Sequence, residues 1–227
     1  IEAYLGDTPE TFTYEGKEYT PQSFAASLDL NLNDYVELTS FQMYPFYEEV
    51  ELTIPDNWMH ARYYNLPIDE LMEVMNALKN GYSVCWDGDV SHNGFSHPNG
   101  LAILPTNNPE EMINAEIDKW TTLSAKDRER KMQSFESPVP EMRVDDNKRQ
   151  FTFNNRQTTD DHLMHITGML KDQNGTIYYK TKNSWGEDRN PFGGYLYMSE
   201  PFCRLQTVAI MVHKDAIPKA IRKKLGL

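Results

Sequence analysis

Two apolar runs in the C-terminal part of the chain, His162–Leu170 and Thr176–Asn183, are separated by Asn174-Gly175. Asn-Gly between two such runs is among the strongest local signals for a β-hairpin, because both residues tolerate positive φ angles. The sequence therefore predicts an antiparallel pair of strands. Folding at this turn brings His162, which opens the first strand, beside Asn183, which ends the second.

A histidine and an asparagine held side by side are two of the three groups that a Cys-His-Asn hydrolase needs. The imidazole pairs with the thiolate and acts as general base and then acid, while the amide orients the ring. Backbone hydrogen bonds between paired strands hold both side chains in place. We therefore predict that His162 and Asn183 are catalytic. Trp185 is predicted to cover their hydrogen bond, because excluding water strengthens it.

Two neighbours of this pair carry further predictions. Asp161 precedes His162 and is predicted to line the substrate cleft, although an ordinary acidic loop residue is nearly as good an interpretation. His165 belongs on the opposite face of the strand from His162, because side chains alternate along a strand. A metal pair on this strand is therefore disfavoured, and His165 is predicted to be structural.

The residues around both predicted catalytic side chains resemble those of papain-like cysteine peptidases. His162–Gly168 (His-Leu-Met-His-Ile-Thr-Gly) resembles their His strand, with His first and Gly six positions later. Lys182–Gly186 (Lys-Asn-Ser-Trp-Gly) is similar to their Asn motif, and Gly193–Met198 is similar to the strand that follows it. Gly81–Val84 and Asn99–Ile103 resemble two further strands of the same domain.

Within this family, the long insertion before His162 and the run Asn183–Asp188 resemble the bleomycin hydrolase and aminopeptidase C branch. The resemblance covers about residues 58–213. It implies an α+β papain-like fold in which residues 58–227 form the C-terminal, β-barrel-type domain, with a helical insertion at about 107–150. Residues 1–57 would then be a preceding segment of the same peptidase.

The nucleophilic cysteine of such an enzyme is not apparent in this chain. Cys85-Trp86 imitates the Cys-Trp pair that opens the catalytic helix, but a predicted strand precedes it and Asp87–Asp89 continue a helix poorly. The spacing to His162 also falls short of the roughly 130–150 positions of papain-type chains. Cys203 follows the Asn motif, where papain relatives keep no nucleophile. The nucleophile is therefore predicted upstream, which makes this chain alone inactive.

Composition restricts the partners. A net charge of −12 disfavours nucleic acid and anionic membranes, which attract basic surfaces. No apolar run approaches the roughly 18–20 residues that cross a bilayer, and the composition is typical of a soluble globular protein. The chain begins with Ile1, so we expect a processed product, a cloned portion or a cut fragment. The resemblance implies a cytoplasmic location, with a periplasmic or secreted one left open.

The resemblance implies that the intact protein is a papain-like cysteine aminopeptidase that acts on peptides. Its partners would be the N-terminal part that carries the catalytic cysteine and, where the protein forms a homo-oligomer as members of this branch do, further copies of itself. It implies no metal and no nucleotide cofactor. Two alternatives stay open: a non-catalytic papain-like module that binds peptides or a partner, and use of Cys85 in an unrelated Cys-His geometry.

Periodicity and turn residues predict the remaining elements. They are a hairpin at Phe12–Tyr19, a short helix from Pro21, extended segments at Asn31–Pro55, a helix from Ile68 to Asn80-Gly81, a buried strand at Tyr82–Trp86, a loop at Asp87–Pro98, helices near Pro109–Leu123 and Ala125–Phe135, and strands after His162.

Overall fold

The computed structural model describes residues 2–113 and 117–227, which fold as two compact units that divide between Tyr35 and Val36. The first unit contains α1 (Glu2–Leu5), the antiparallel hairpin β1 (Phe12–Tyr14) and β2 (Lys17–Tyr19), and α2 (Pro21–Ser27). Phe24 of α2 packs edge-on against Phe12 and Tyr19, with ring centroids 5.4 and 5.3 Å away. The predicted hairpin and short helix are confirmed.

The second unit is a mixed α+β structure, as predicted. Its strands are β3 (Tyr35–Thr39), β4 (Glu49–Glu51), β5 (Arg62–Asn65), β6 (Val84–Gly88), β7 (Phe95–Ser96), β8 (Leu101–Ala102), β9 (Met112–Ile113), β10 (Glu141–Met142), β11 (His162–Lys171), β12 (Ile177–Lys182), β13 (Tyr195–Ser199) and β14 (Thr207–His213). Its helices are α3 (Ile68–Met75), α4 (Ile117–Thr121), α5 (Ala125–Ser134), α6 (Asp146–Asn154), α7 (Glu200–Gln206) and α8 (Lys219–Leu225).

Ten strands form one sheet in the order β4-β5-β3-β14-β6-β11-β12-β13-β8-β7. The pairs β3–β5 and β13–β8 are parallel, and the central pairs from β14 to β13 are antiparallel. Among the described residues no pairing joins β4 to β7, so the strands that were expected to form a barrel-type domain follow an open order. The predicted division after residue 57 concerns the whole peptidase and stays a prediction.

The local sequence explains the turn of the central hairpin, which joins β11 to β12. Asp172 caps the turn between β11 and β12 with one carboxylate oxygen, which accepts from the backbone N–H groups of Asn174 (2.8 Å) and Thr176 (2.9 Å). Gly175 adopts a φ of 85°, which glycine reaches without strain. An irregularity between Ile166 and Gly168 shifts the strand register. The structure confirms the hairpin predicted from Asn174-Gly175.

The helix predicted from Ile68 is also present. Its apolar residues fall on one buried face. Asp69 and Glu70 lie in its first turn, where their negative charges interact favourably with the positive end of the helix dipole. The helix ends in a 3₁₀ turn over Asn76–Asn80, where Gly81 takes a left-handed conformation with φ 86°. α3, α7 and α8 supply buried side chains to the main core beneath the sheet.

Two sequence predictions were wrong in detail. The helix expected near Pro109–Leu123 is replaced by β9, which pairs with β10, and by the short α4; residues 114–116 lie outside the described part of the chain. Met112 and Trp120 are buried together in a second, smaller core, and that packing overrides the helical pattern. The loop expected at Asp87–Pro98 contains the end of β6 and all of β7.

The helices α6 and α7 have clear start signals that the prediction missed. Asp145 caps α6 by accepting from the backbone of Lys148 at 2.8 Å, and Ser199 caps α7 by accepting from Phe202 at 3.2 Å. No helix within the described residues is both long enough and apolar enough to span a membrane.

Candidate active site

The two predicted catalytic residues meet at one end of the β11–β12 hairpin. His162 is the first residue of β11, and Asn183 follows the last residue of β12. The Nε2 atom of His162 lies 2.9 Å from Oδ1 of Asn183. The structure therefore brings together the histidine and the asparagine that the hairpin was predicted to join.

A backbone amide fixes the chemistry of this contact. The N–H of Ser184 points at Oδ1 of Asn183, 2.7 Å away, and a backbone N–H can only donate. The atom that accepts it is therefore the amide oxygen, so Nε2 of His162 carries the proton that it donates to the same oxygen. In the neutral ring this leaves Nδ1 of His162 unprotonated, as an acceptor for the proton of a nucleophile.

Asn183 is buried, with 2% of its surface exposed. A hydrogen bond in such a place is electrostatically stronger than one that competes with water. The imidazole of His162 is only partly buried, so its other ring nitrogen can meet a reacting group. The side chain that was predicted to orient the ring is enclosed, and the imidazole that was predicted to react is reachable.

Trp185 lies against this pair, where it was predicted. Its ring centroid is 5.2 Å from that of His162 and 5.1 Å from that of His97. Phe95 of β7 packs edge-on against the same indole at 5.8 Å. However, 45% of Trp185 remains exposed, so the indole covers the site from one side and itself faces solvent.

His97 is a member of the cluster that the sequence did not reveal. Its Nδ1 lies 3.3 Å from Nδ2 of Asn183, on the side of the amide opposite His162. Only 4% of the surface of His97 is exposed to solvent. Burial lowers the pKa of His97 below its ordinary value, and the nearby His162 lowers it further. His97 is thus a neutral, buried acceptor beside the amide.

Asn190, which the sequence also did not reveal, ties the His97 segment to the turn before β13. Its Nδ2 donates to the carbonyl oxygens of His97 (3.1 Å) and Tyr195 (2.7 Å). Its Oδ1 accepts from the backbone N–H groups of Phe192 (3.1 Å) and Gly194 (2.9 Å). One buried amide thereby satisfies four backbone groups and fixes the position of His97.

Asp161 lies next to His162 with an exposed side chain. One carboxylate oxygen accepts from the backbone N–H of Val90 at 3.0 Å, and the Asp161 N–H donates to the carbonyl of Gly88 at 3.3 Å. Partial burial raises the pKa of Asp161. The residue therefore stabilises the start of β11, and its predicted contact with substrate stays a prediction.

Cys85 lies on the wrong face of the sheet to act with His162. It pairs directly with His165, and directly paired residues share a face. His165 and His162 are three positions apart and point to opposite faces. Burial raises the pKa of the Cys85 thiol, and the carboxylates of Asp87 and Glu37 raise it further, which disfavours the reactive thiolate.

The other thiol is less accessible still. Cys203 is fully buried in α7, and burial raises its pKa well above the ordinary value. Neither thiol of this chain is therefore placed as a nucleophile for His162. The described residues contain no group of three or more His, Cys, Asp or Glu side chains arranged to hold a metal ion.

Comparison with known proteins finds a family match in the C-terminal part of the chain. Residues 141–226 match the Peptidase C1-like family. This stretch contains both His162 and Asn183, and the predicted resemblance to papain-like cysteine peptidases is confirmed. No curated protein matches the chain.

A solved structure extends the similarity in fold to nearly the whole chain. The crystal structure of PepW from Lactobacillus rhamnosis HN001, determined as the selenomethionine derivative, matches 99% of this chain with a TM-score of 0.67 and 20% sequence identity. At this identity the likeness shows the fold, which is the predicted papain-like one. The match covers 48% of the PepW chain, so this chain spans about half the length of that protein.

Proposed function

We propose that this chain supplies the His-Asn half of the active site of a papain-like cysteine aminopeptidase. The observation that carries the proposal is the hydrogen bond of 2.9 Å between His162 Nε2 and Asn183 Oδ1. It leaves Nδ1 of His162 free for a thiol, which is the arrangement that thiol catalysis requires. The match of residues 141–226 to the Peptidase C1-like family supports the same reaction class.

In this proposal the nucleophilic cysteine comes from a part of the protein upstream of the chain. Cys85 lies on the other face of the sheet and Cys203 is enclosed, so neither can complete the site. The chain also covers only about half of the PepW chain. His162 would remove the proton from the upstream thiol, stabilise the thiolate as imidazolium, and return the proton to the departing amine of the peptide.

Asn183 would hold the imidazole in the required orientation through both protonation states, since its oxygen accepts from Nε2–H in each. Trp185 would limit the access of water to that bond. The aminopeptidase type rests on the resemblance of the insertion and of Asn183–Asp188 to the bleomycin hydrolase and aminopeptidase C branch.

Mutation of the full-length protein tests this function. Replacing His162 with Ala should reduce peptide hydrolysis by roughly 10²–10⁴-fold, as is typical for loss of a general base. Replacing Asn183 with Ala removes one hydrogen bond to a group that becomes charged, worth about 1.5–3 kcal/mol, or about 10–150-fold in rate. The matched control is His165→Ala, an exposed histidine on the same strand but on the opposite face.

A thiol-directed peptidyl inhibitor distinguishes the alternatives. Mass spectrometry of the labelled full-length protein should locate the inhibitor on a cysteine upstream of residue 1. Labelling at Cys85 would instead support the unrelated Cys-His geometry. If no cysteine is labelled and peptides bind without being cleaved, the chain belongs to a non-catalytic peptide-binding module.

A further inference from the structure

A second histidine lies behind the orienting asparagine. The amide of Asn183 is held between two imidazoles: its oxygen accepts from Nε2 of His162 at 2.9 Å, and its nitrogen lies 3.3 Å from Nδ1 of His97. We propose that His97 is a positioning residue that holds the Asn183 amide in the orientation His162 needs. This inference rests on the proposed peptidase function.

The assignment of protons follows from groups that can only donate. Because Ser184 N–H donates to Oδ1 of Asn183, the amide nitrogen must face His97. An amide nitrogen can only donate, so Nδ1 of His97 must accept and its proton sits on Nε2. Within the described residues Nε2 of His97 is buried and has no hydrogen-bond partner, so Asn183 is its ring's polar contact there.

A rotation of the Asn183 amide by half a turn shows what His97 prevents. The amide nitrogen would then face two donors, the Ser184 N–H and the Nε2–H of His162, and both would lose their acceptor. With its proton on Nε2, the His97 ring would also lose the donor that faces its Nδ1. Buried polar groups without partners cost about 1–3 kcal/mol each. The three contacts together therefore select one orientation of the amide.

His97 itself is held firmly enough to act in this way. Its backbone oxygen accepts from Asn190 Nδ2 at 3.1 Å and from the Gly100 N–H at 3.0 Å. Its ring packs against the indole of Trp185 at 5.1 Å. The side chain therefore reaches Asn183 from a loop that these contacts hold in position, and the position of its Nδ1 atom is fixed as well.

Two substitutions separate the hydrogen bond from packing. His97→Phe keeps a ring against Trp185 but removes the acceptor. His97→Asn places an amide oxygen where Nδ1 was, so it restores the acceptor while losing part of the ring. In the full-length protein we expect His97→Phe to lower kcat/KM by about 3- to 10-fold, the value of one neutral hydrogen bond. His97→Asn should stay within about twofold of the wild type.

A double-mutant cycle with Asn183→Ala tests whether His97 acts through the amide. If it does, His97→Phe should cause no further loss once the Asn183 amide is gone. Equal losses in His97→Phe and His97→Asn, or the same loss in both backgrounds, would show a packing role and overturn the proposal. His97→Leu replaces His97→Phe if the latter does not fold. The control His165→Phe changes an exposed histidine outside the site.

NMR of the Asn183 side-chain amide in the ¹⁵N-labelled full-length protein gives a readout that needs no activity. One amide proton should be shifted downfield by the bond to His97, should lose that shift in His97→Phe and should keep it in His97→Asn. An inactive wild type with these shifts would refute the peptidase function but leave the hydrogen bond intact. If the enzyme is active but the chemical shifts of the Asn183 amide are the same in the wild type, His97→Phe and His97→Asn, the proposed role of His97 is overturned.

Discussion

The indole of Trp185 lies 5.2 Å from the imidazole of His162, with the two ring planes 44° apart, yet 45% of the Trp185 surface is exposed. The contact is close enough to exclude water from one side of the His162–Asn183 bond. The rest of the indole is buried, and that burial contributes about 2–3 kcal/mol to the stability of the unit. Trp185 is therefore expected to affect both the chemistry and the folding.

The first prediction concerns both effects of Trp185. Trp185→Ala in the full-length protein should lower kcat/KM by about tenfold, because water can then compete for the Asn183 oxygen and weaken a bond worth about 1.5–3 kcal/mol. The free energy of unfolding should fall by about 2–3 kcal/mol, since the substitution removes the buried part of a large aromatic side chain. Steady-state kinetics and urea unfolding measure the two effects. Trp185→Phe, which keeps an aromatic ring there, should retain most of the activity, and a folded Trp185→Ala variant with the kcat/KM of the wild type would contradict the assignment.

The second prediction concerns Arg149 in α6, whose guanidinium is fully buried. It donates to the carbonyl oxygens of Ser40, Arg204, Leu205 and Thr207 and lies over the ring of Phe41. Arg149→Met leaves several buried carbonyls without a donor, and each costs about 1–3 kcal/mol. Urea denaturation should show a loss of at least about 3 kcal/mol.

Arg130→Met is the matched control for this substitution. The Arg130 side chain is 76% exposed and contacts only Asp127 three residues earlier, at 3.3 Å, among the described contacts. Its removal should change stability by less than about 0.5 kcal/mol. If the two variants were equally stable, the buried guanidinium would not be the element that joins α6 to the segment around α7.

The third prediction concerns Asp87 on β6. Burial, followed by a hydrogen bond with the carboxyl of Asp160, raises the pKa of Asp87 to about 8. The folded protein therefore holds this proton more tightly than the unfolded chain, whose aspartates titrate near 4. The resulting stabilisation is complete below about pH 4 and is lost as the pH rises through about 8.

Asp87→Asn removes this titration, so its stability relative to the wild type should increase with pH. At pH 9 the variant should melt several degrees above the wild type, since 1 kcal/mol corresponds to about 2–4 °C in a protein of this size. At pH 5 that advantage should be absent. Calorimetry at both pH values measures the difference, and Glu73→Gln, which alters an exposed acid of α3, is the control. If the difference in melting temperature between Asp87→Asn and the wild type were the same at both pH values, the raised pKa of Asp87 would be refuted.

The hairpin and the His162–Asn183 contact could be predicted from sequence because their determinants are local. Asn174-Gly175 fixes the turn, and the two strands that carry the site follow each other directly along the chain. The helix α3 was predictable for the same reason, since its apolar face and its terminal Gly81 lie within one short segment.

The contact between His97 and Asn183 could not be predicted in this way. His97 reaches Asn183 only because β8 runs parallel to β13, which lies far along the chain, and because β7 pairs back on β8. Nothing in the sequence near His97 marks that pairing, and two residues of β7 are too few to show a period. The helix predicted near Pro109–Leu123 failed for a related reason, because the partner of β9 is the distant β10.

The fourth prediction tests the backbone contact that places the His97 loop. Gly94 accepts from the Ile103 N–H at 3.0 Å, and a Cβ atom at Gly94 would lie 1.9 Å from the Ile103 carbonyl oxygen. Gly94→Ala must therefore push β7 away from β8 and move His97 out of reach of Asn183. We expect an activity loss at least as large as that of His97→Phe, about 3- to 10-fold, because the same hydrogen bond is removed.

Gly168→Ala separates this effect from a general intolerance of glycine substitution. A Cβ at Gly168 meets its nearest neighbour, in Lys180, at an ordinary 3.8 Å, although Gly168 lies on β11, the strand that begins at His162. This variant should keep activity within about twofold and stability within about 0.5 kcal/mol. The NMR shift of the Asn183 amide should be lost in Gly94→Ala and kept in Gly168→Ala. If Gly94→Ala retained both the shift and the activity, the β7–β8 contact would not be what holds His97 against Asn183.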